Sequence, residues 1–143
     1  EIKVIGFTTT TTTIYAAFRA AEIFRKFYPK ATIVFGGAHA SFVPDESLDK
    51  DFIDAVCIGE GEDTLVEVIQ GRPFAEIDGL AWKRVVNGET EFVRNKPRTR
   101  LKKLDDLPLP AYDLLDIGAY RPILGNFKRL PAMMLVSSRG CPW

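Results

Sequence analysis

Ala31-Thr32-Ile33-Val34-Phe35-Gly36-Gly37-Ala38-His39-Ala40 is the stretch that decides how the chain folds. Its first five residues are almost wholly apolar and rich in β-branched side chains. They show none of the alternation of a half-exposed strand, so the segment reads as a strand buried on both faces, the mark of a parallel sheet. The paired glycines close it. Two further strand-like runs lie on either side, Ile2 to Phe7 and Ala55 to Ile58. Between the first run and the second, Ile14, Ala17, Phe18, Ala21, Phe24 and Tyr28 recur at spacings of three and four. That is one apolar face of a helix, with Arg19, Arg25 and Lys26 left for solvent and Pro29 as its stop. Pro44 to Lys50 can form a short helix with proline in its first turn. Glu62 to Gln70 reads as another, with Leu65, Val66 and Ile69 facing inward and Glu62 and Asp63 at the positive end of its dipole.

The order β-α-β-α-β-α, with right-handed crossovers, predicts an α/β chain: a Rossmann-like doubly wound parallel sheet covered by helices on both faces. Gly79 to Val93 changes character. Leu80 to Val86 and Glu91 to Val93 flank Asn87-Gly88, a strong hairpin turn signal, so a β-hairpin appended to the sheet is expected. From 96 to 131 the chain is proline-punctuated and reads as a solvated linker, basic over Lys96 to Lys103. Met133 to Val136 is a last apolar strand. The expected division is therefore an α/β domain over 1–78, a hairpin over 79–95, a linker over 96–131 and the start of a further domain over 132–143. The abrupt ends suggest a piece of a longer protein.

The 143 residues carry 19 basic and 19 acidic groups for a formal net charge of +0. No basic excess points to nucleic acid. No apolar run approaches the roughly 18 residues that cross a bilayer. Two distant cysteines, Cys57 and Cys141, do not make a disulfide framework, and a reducing cytoplasm is the expected compartment. Cys57, inside an apolar run, reads as a small buried hydrophobe.

In open α/β sheets ligands bind beyond the carboxyl ends of the strands. Three unusual segments fall there: Thr8-Thr9-Thr10, which opens a run of six threonines; Gly36-Gly37-Ala38-His39; and Gly59-Glu60-Gly61-Glu62. The threonines offer hydroxyls beside a helix start, either as an N-cap or as simple low complexity. The glycines let a bulky ligand approach the backbone. Their spacing is neither that of a dinucleotide fingerprint nor that of a phosphate-cradling loop. His39, the lone histidine, reads more readily as structural than as a metal ligand. Glu60 and Glu62 suit loop and helix-start hydrogen bonds better than paired acid–base work. Cys141 follows a strand in Ser138-Arg139-Gly140-Cys141-Pro142-Trp143, where a turn past the strand end could project an iron–sulfur ligand, but a cluster needs three or four thiolates.

Taken together, Val34 to Ala40, Val56 to Thr64, Leu104-Asp105-Asp106-Leu107-Pro108-Leu109-Pro110-Ala111-Tyr112-Asp113-Leu114-Leu115 and Ser138 to Trp143 resemble the cobalamin-dependent radical SAM family. The likeness is to its branch with the anaerobic magnesium-protoporphyrin monomethyl ester oxidative cyclase. The resemblance implies an N-terminally truncated cobalamin-binding fold, with cobalamin held at the carboxyl edge of the sheet. Thr8, Thr9, Thr10, Gly36, Gly37, His39, Gly59, Glu60 and Gly61 would be the cofactor-binding positions. Cys141 would be the first of three cysteines on a [4Fe-4S] cluster that cleaves S-adenosylmethionine in the parent enzyme. The family's Asp-x-His-x-x-Gly motif is not present. The resemblance implies a module with no catalytic activity of its own, joined to a radical SAM barrel whose substrate is a tetrapyrrole or another hydrophobic molecule. The alternatives are a Rossmann-like domain that has lost cobalamin and supports or recognises substrate, and a nucleotide-sugar-binding half. A receiver-like domain is disfavoured, because no strand end carries the required aspartate.

Overall fold

The structure is a computed structural model that describes residues 2–99, 104–120, 129–130, 132 and 138–139. The chain divides into two compact units, Glu1–Arg100 and Leu101–Trp143. In the first unit the elements run β1 (Val4–Thr8), α1 (Ile14–Phe27), β2 (Thr32–Gly36), α2 (Gly37–Phe42), α3 (Pro44–Leu48), β3 (Ala55–Cys57), α4 (Glu62–Ile69), β4 (Leu80–Val86) and β5 (Glu89–Arg94). Described residues of the second unit form three short 3-10 turns, Leu104–Asp106, Tyr112–Leu114 and Ile117–Ala119. The strand expected over Met133 to Val136 lies outside the described residues.

The strands form one five-stranded sheet in the order β1-β2-β3-β4-β5. β1, β2 and β3 are parallel, β4 runs antiparallel to β3, and β5 runs antiparallel to β4. The sheet is thus mixed rather than wholly parallel. The hairpin continues it, with Ala55 opposite Trp82 and Cys57 opposite Leu80. Asn87 and Gly88 both take positive φ, 54° and 85°, the geometry of a type I′ turn whose twist matches the strands it joins.

β2 lies between β1 and β3, and its three apolar residues divide between two cores. Ile33 and Phe35 pack with Ile14, Phe18 and Ala21 of α1, Ala40 of α2 and Leu48 of α3. Val34 turns to the other face, with Ala55, Cys57, Leu80 and Val68 of α4. Helices therefore cover both faces, as expected, and burying both sides of one strand explains its unbroken apolar run. Each fully buried Ile, Val or Phe contributes on the order of 2 kcal/mol.

Three local expectations are corrected. Arg25 does not face solvent: it bonds the carbonyls of Pro29, Ala31 and Phe52 and pairs with Asp54, whose carboxylate also accepts the Ile33 N–H. α4 is rotated from its predicted phase. Thr64 and Val68 are its buried residues, while Val66 and Ile69 are exposed, because the Thr64 hydroxyl is satisfied internally by the Asp78 carbonyl. The stretch after β5 is tied down at its start rather than solvated. Lys96 O accepts the Gly79 N–H, and Arg98 bonds Thr64, Asp78 and Glu67. The Asn95 side chain donates to the carbonyls of Phe74 and Ile77 and accepts from the Trp82 indole.

Candidate functional site

The parallel strands β1, β2 and β3 end at one edge, at Thr8, Gly36 and Cys57. All three segments singled out in the sequence meet there. The chain leaves β2 towards the α1 face and leaves β3 towards the α4 face, so the two loops diverge at this edge. Diverging loops open the crevice in which α/β sheets bind ligands.

Thr9 is a structural tie. It is 1% exposed, its N–H and hydroxyl both donate to Gly36 O at 2.8 and 2.9 Å, and its carbonyl accepts the His39 N–H. Gly37 belongs to the same knot. Its φ is +88°, and a Cβ there would stand 2.6 and 2.7 Å from Thr9 O and N and 2.9 Å from Thr8 Oγ1. The room that a glycine leaves at 37 is filled by the protein's own threonine loop. Thr10, Thr12 and Thr13 bond mainly to one another, and Thr13 occupies the N-cap of α1 without a capping side-chain bond.

Both ring nitrogens of His39 are engaged. Nδ1 lies 3.2 Å from Thr11 Oγ1, and Nε2 lies 3.0 Å from the Glu46 carboxylate on α3. The side chain is 11% exposed. Glu46 was not singled out by the sequence, since it belongs to no recognisable spacing, and Thr11 stood out only as one of six threonines in a row.

The other face of the same edge is more open. Ile5 and Phe7 pack under α1, so alternation turns Val4, Gly6 and Thr8 the opposite way. In register, Gly6 stands beside Val34 and Thr8 beside Gly36. Gly6 and Thr8 are exposed, and a Cβ on Gly6 would meet nothing within 4 Å. Gly36 is extended, at φ −161°, so any residue could adopt its backbone; a Cβ there would touch only Cys57, its Cβ at 3.6 Å and its carbonyl at 3.7 Å. Gly6 and Gly36, with the exposed Thr8 beside Gly36, thus leave a trough in the side-chain layer of this face. A glycine inside an apolar strand was the signal for Gly6, because it marks close approach to a backbone.

On the β3 side, Gly59 has φ +80° with open space around it, and its N–H donates to Ser41 Oγ of α2 at 3.0 Å. Glu60 is half-buried in this loop, Gly61 precedes α4, and Glu62 begins it. Burial pushes the Cys57 thiol up to about 11, partly offset by the Arg98 charge, so this sulfur is a neutral thiol at physiological pH. Among the described residues no group of three or more His, Cys, Asp or Glu side chains could hold a metal ion. Cys141 lies outside them. No helix among the described residues is long and apolar enough to cross a membrane. A groove of about 300 Å³ lined by Ile2, Phe27 to Lys30 and Ala31 sits at the amino end of the strands, away from this edge.

Residues 1–69 match the B12 binding domain family. The chain is 35% identical to an uncharacterised methyltransferase of Pyrococcus horikoshii, over 98% of the chain and 30% of that protein. It is 28% identical to the anaerobic magnesium-protoporphyrin IX monomethyl ester cyclase of Rubrivivax gelatinosus, over 98% of the chain and 25% of that protein. The chain thus spans less than a third of the length of these relatives. Among solved structures, the cobalamin-dependent S-adenosylmethionine radical enzyme OxsB, with aqua-cobalamin and S-adenosylmethionine bound, aligns with a TM-score of 0.56 at 20% identity, over 68% of this chain and 14% of that one. That likeness establishes the shared fold.

Proposed function

We propose, from the premise that residues 1–69 belong to the B12 binding domain family, that they hold cobalamin at the carboxyl edge of the sheet as the cofactor module of a larger radical SAM enzyme. The observation that carries this reading is the trough. A large planar cofactor with a nucleotide tail needs close access to the backbone, and Gly6 and Gly36, which carry no side chain, give it beside Thr8 on the face that α1 does not cover. Gly59, Glu60 and Gly61 border it from β3. In this reading Thr9 and Gly37 build the trough from beneath, and His39 serves through the hydrogen bonds it already makes rather than as a cobalt ligand. Bound cobalamin would supply a cobalt centre for methyl transfer or radical oxidative cyclisation in the parent. There Cys141 would be one ligand of a [4Fe-4S] cluster that reduces S-adenosylmethionine, acting on a tetrapyrrole or another hydrophobic substrate. An oxygen-sensitive cluster and an unpaired thiol suit a reducing cytoplasm.

The test is direct. Hydroxocobalamin is mixed with the chain and, separately, with the parent protein, free ligand is removed by gel filtration, and corrin absorbance is read in the protein peak. Stoichiometric co-elution is expected. A folded parent that elutes without corrin would overturn the reading in favour of a domain that has lost the cofactor and serves substrate recognition or structure.

A further inference from the structure

The carboxylate of Glu46, the imidazole of His39 and the hydroxyl of Thr11 form a chain of two hydrogen bonds, 3.0 and 3.2 Å long, that runs from α3 to the threonine loop. Its direction follows from the chemistry of its ends. An ionised carboxylate can only accept, so Nε2 of a neutral His39 must carry the hydrogen. Nδ1 is then a bare lone pair and accepts, so the Thr11 hydroxyl donates its single hydrogen inward. The Thr11 oxygen is left with lone pairs alone to offer outward, and Thr11 is exposed at the ligand edge. Other hydroxyls of the tract are committed differently. Thr9 is buried on Gly36, and Thr10, Thr12 and Thr13 are turned on one another.

We propose that Glu46 and His39 polarise Thr11 into a fixed hydrogen-bond acceptor that selects corrinoids by their peripheral carboxamides, which donate N–H, against corrinoids carrying carboxylates at those positions, which only accept. The inference rests on the cobalamin reading above. It adds a specificity determinant, Thr11, and two positioning residues, His39 and Glu46. The geometry also explains why a histidine with both nitrogens occupied stands at this edge. Its ring is 11% exposed and held at both ends, so it passes the polarity of the carboxylate on to an exposed hydroxyl of the loop between β1 and α1.

Two measurements test this separately. The chain contains one histidine, so nitrogen NMR of the 143-residue chain reads the His39 tautomer without assignment and without ligand. In alkaline buffer the Nε2–H form is expected, and Glu46→Gln should release it into a mixture; the Nδ1–H form in the unsubstituted chain would overturn the relay. Binding is then titrated with cobalamin and with a corrinoid whose peripheral carboxamides have been hydrolysed to carboxylates. Charge alone can favour one of these, so the diagnostic is the change in their affinity ratio on substitution. Thr11→Val should shrink the preference for the carboxamide form by about 3- to 10-fold, the worth of one neutral hydrogen bond, and Glu46→Gln should move it the same way. Equal loss for both ligands would reduce Thr11 to a packing contact and overturn the selection. No binding of either ligand, with the tautomer as expected, would overturn the cobalamin reading and the selectivity with it, leaving the relay as a purely structural device.

Discussion

Replacing Gly37 with alanine asks how much of the threonine knot depends on one missing methyl. Two costs add. A non-glycine residue at φ +88° loses roughly 1–2 kcal/mol to the clash of its Cβ with its own backbone. The new Cβ would also stand 2.6 and 2.7 Å from the carbonyl oxygen and nitrogen of Thr9, which no side-chain rotation can relieve. Either β1's end or the start of α2 must shift, an overpacking cost of about 1–3 kcal/mol. The shift stretches the Thr9–Gly36 and His39–Thr9 bonds that hold the two segments together. A loss of about 2–5 kcal/mol is therefore expected, a large part of the stability of an ordinary domain. Urea unfolding of three variants separates the contributions. Gly59→Ala, at φ +80° with nothing nearby, carries the dihedral cost alone, about 1 kcal/mol. Gly61→Ala, at φ −100° with only Cys57 Cβ at 3.6 Å, trades the N-cap preference for glycine against a stiffer unfolded chain and should change stability by less than roughly 0.5 kcal/mol. If Gly37→Ala unfolds within that same margin of Gly61→Ala, at equal denaturant slope, the close-approach reasoning is refuted.

Gly6→Ala should leave stability unchanged or raise it by up to about 0.5 kcal/mol while weakening corrin binding about tenfold, because its methyl would stand in the trough; undiminished binding would show that the trough is unused. Burial raises the Cys57 thiol from 9.0 to about 11, so the folded chain keeps a proton there that the unfolded chain releases. This contribution to stability is complete below about pH 9 and is lost as pH rises through 11, about 2–3 kcal/mol in all, and a Cys57→Ala variant should lack that alkaline limb in pH-dependent unfolding. The same burial predicts that iodoacetamide at pH near 8 spares Cys57 in the native chain, as peptide mapping would show. Asn95→Ala would strand the Trp82 N–H and two carbonyls in a half-buried site, costing about 2–4 kcal/mol and speeding amide exchange at Gly79 and in β4.

The parts of the fold set by hydrophobic burial were legible in the sequence. β2 declared itself because both its faces are covered, α1 because Ile14, Phe18 and Ala21 repeat on one face, and the hairpin because Asn87-Gly88 suits one turn type. What escaped depends on polar partners distant in the chain. Arg25 looked solvent-bound until Asp54 and three carbonyls were brought around it, and Thr64 gave no sign that a buried position of α4 would be a hydroxyl. α2 escaped because six residues are too few for a period to show. At the site, position was readable and role was not. The glycine pair was visible, yet only the fold separates Gly37, packed against Thr9, from Gly36, which keeps a face clear. Gly6 carried a readable signal. Glu46 carried none, since its meaning comes from His39 seven residues earlier.

Six identical residues in a row suggest a tract whose length is negotiable, as repetitive coding sequence often is. Here the repeat is measured to the residue. Thr8 closes the strand register, Thr9 is sewn to Gly36, Thr11 reaches His39, and Thr13 abuts the first helical residue. Gaining or losing one threonine would leave the composition almost untouched and yet reassign every one of these duties to a neighbour of the same name in a different place. A saturation scan across the tract should accordingly read as six unlike columns, most exacting at Thr9 and most permissive at Thr12, whose only described side-chain hydrogen bond is to Thr10.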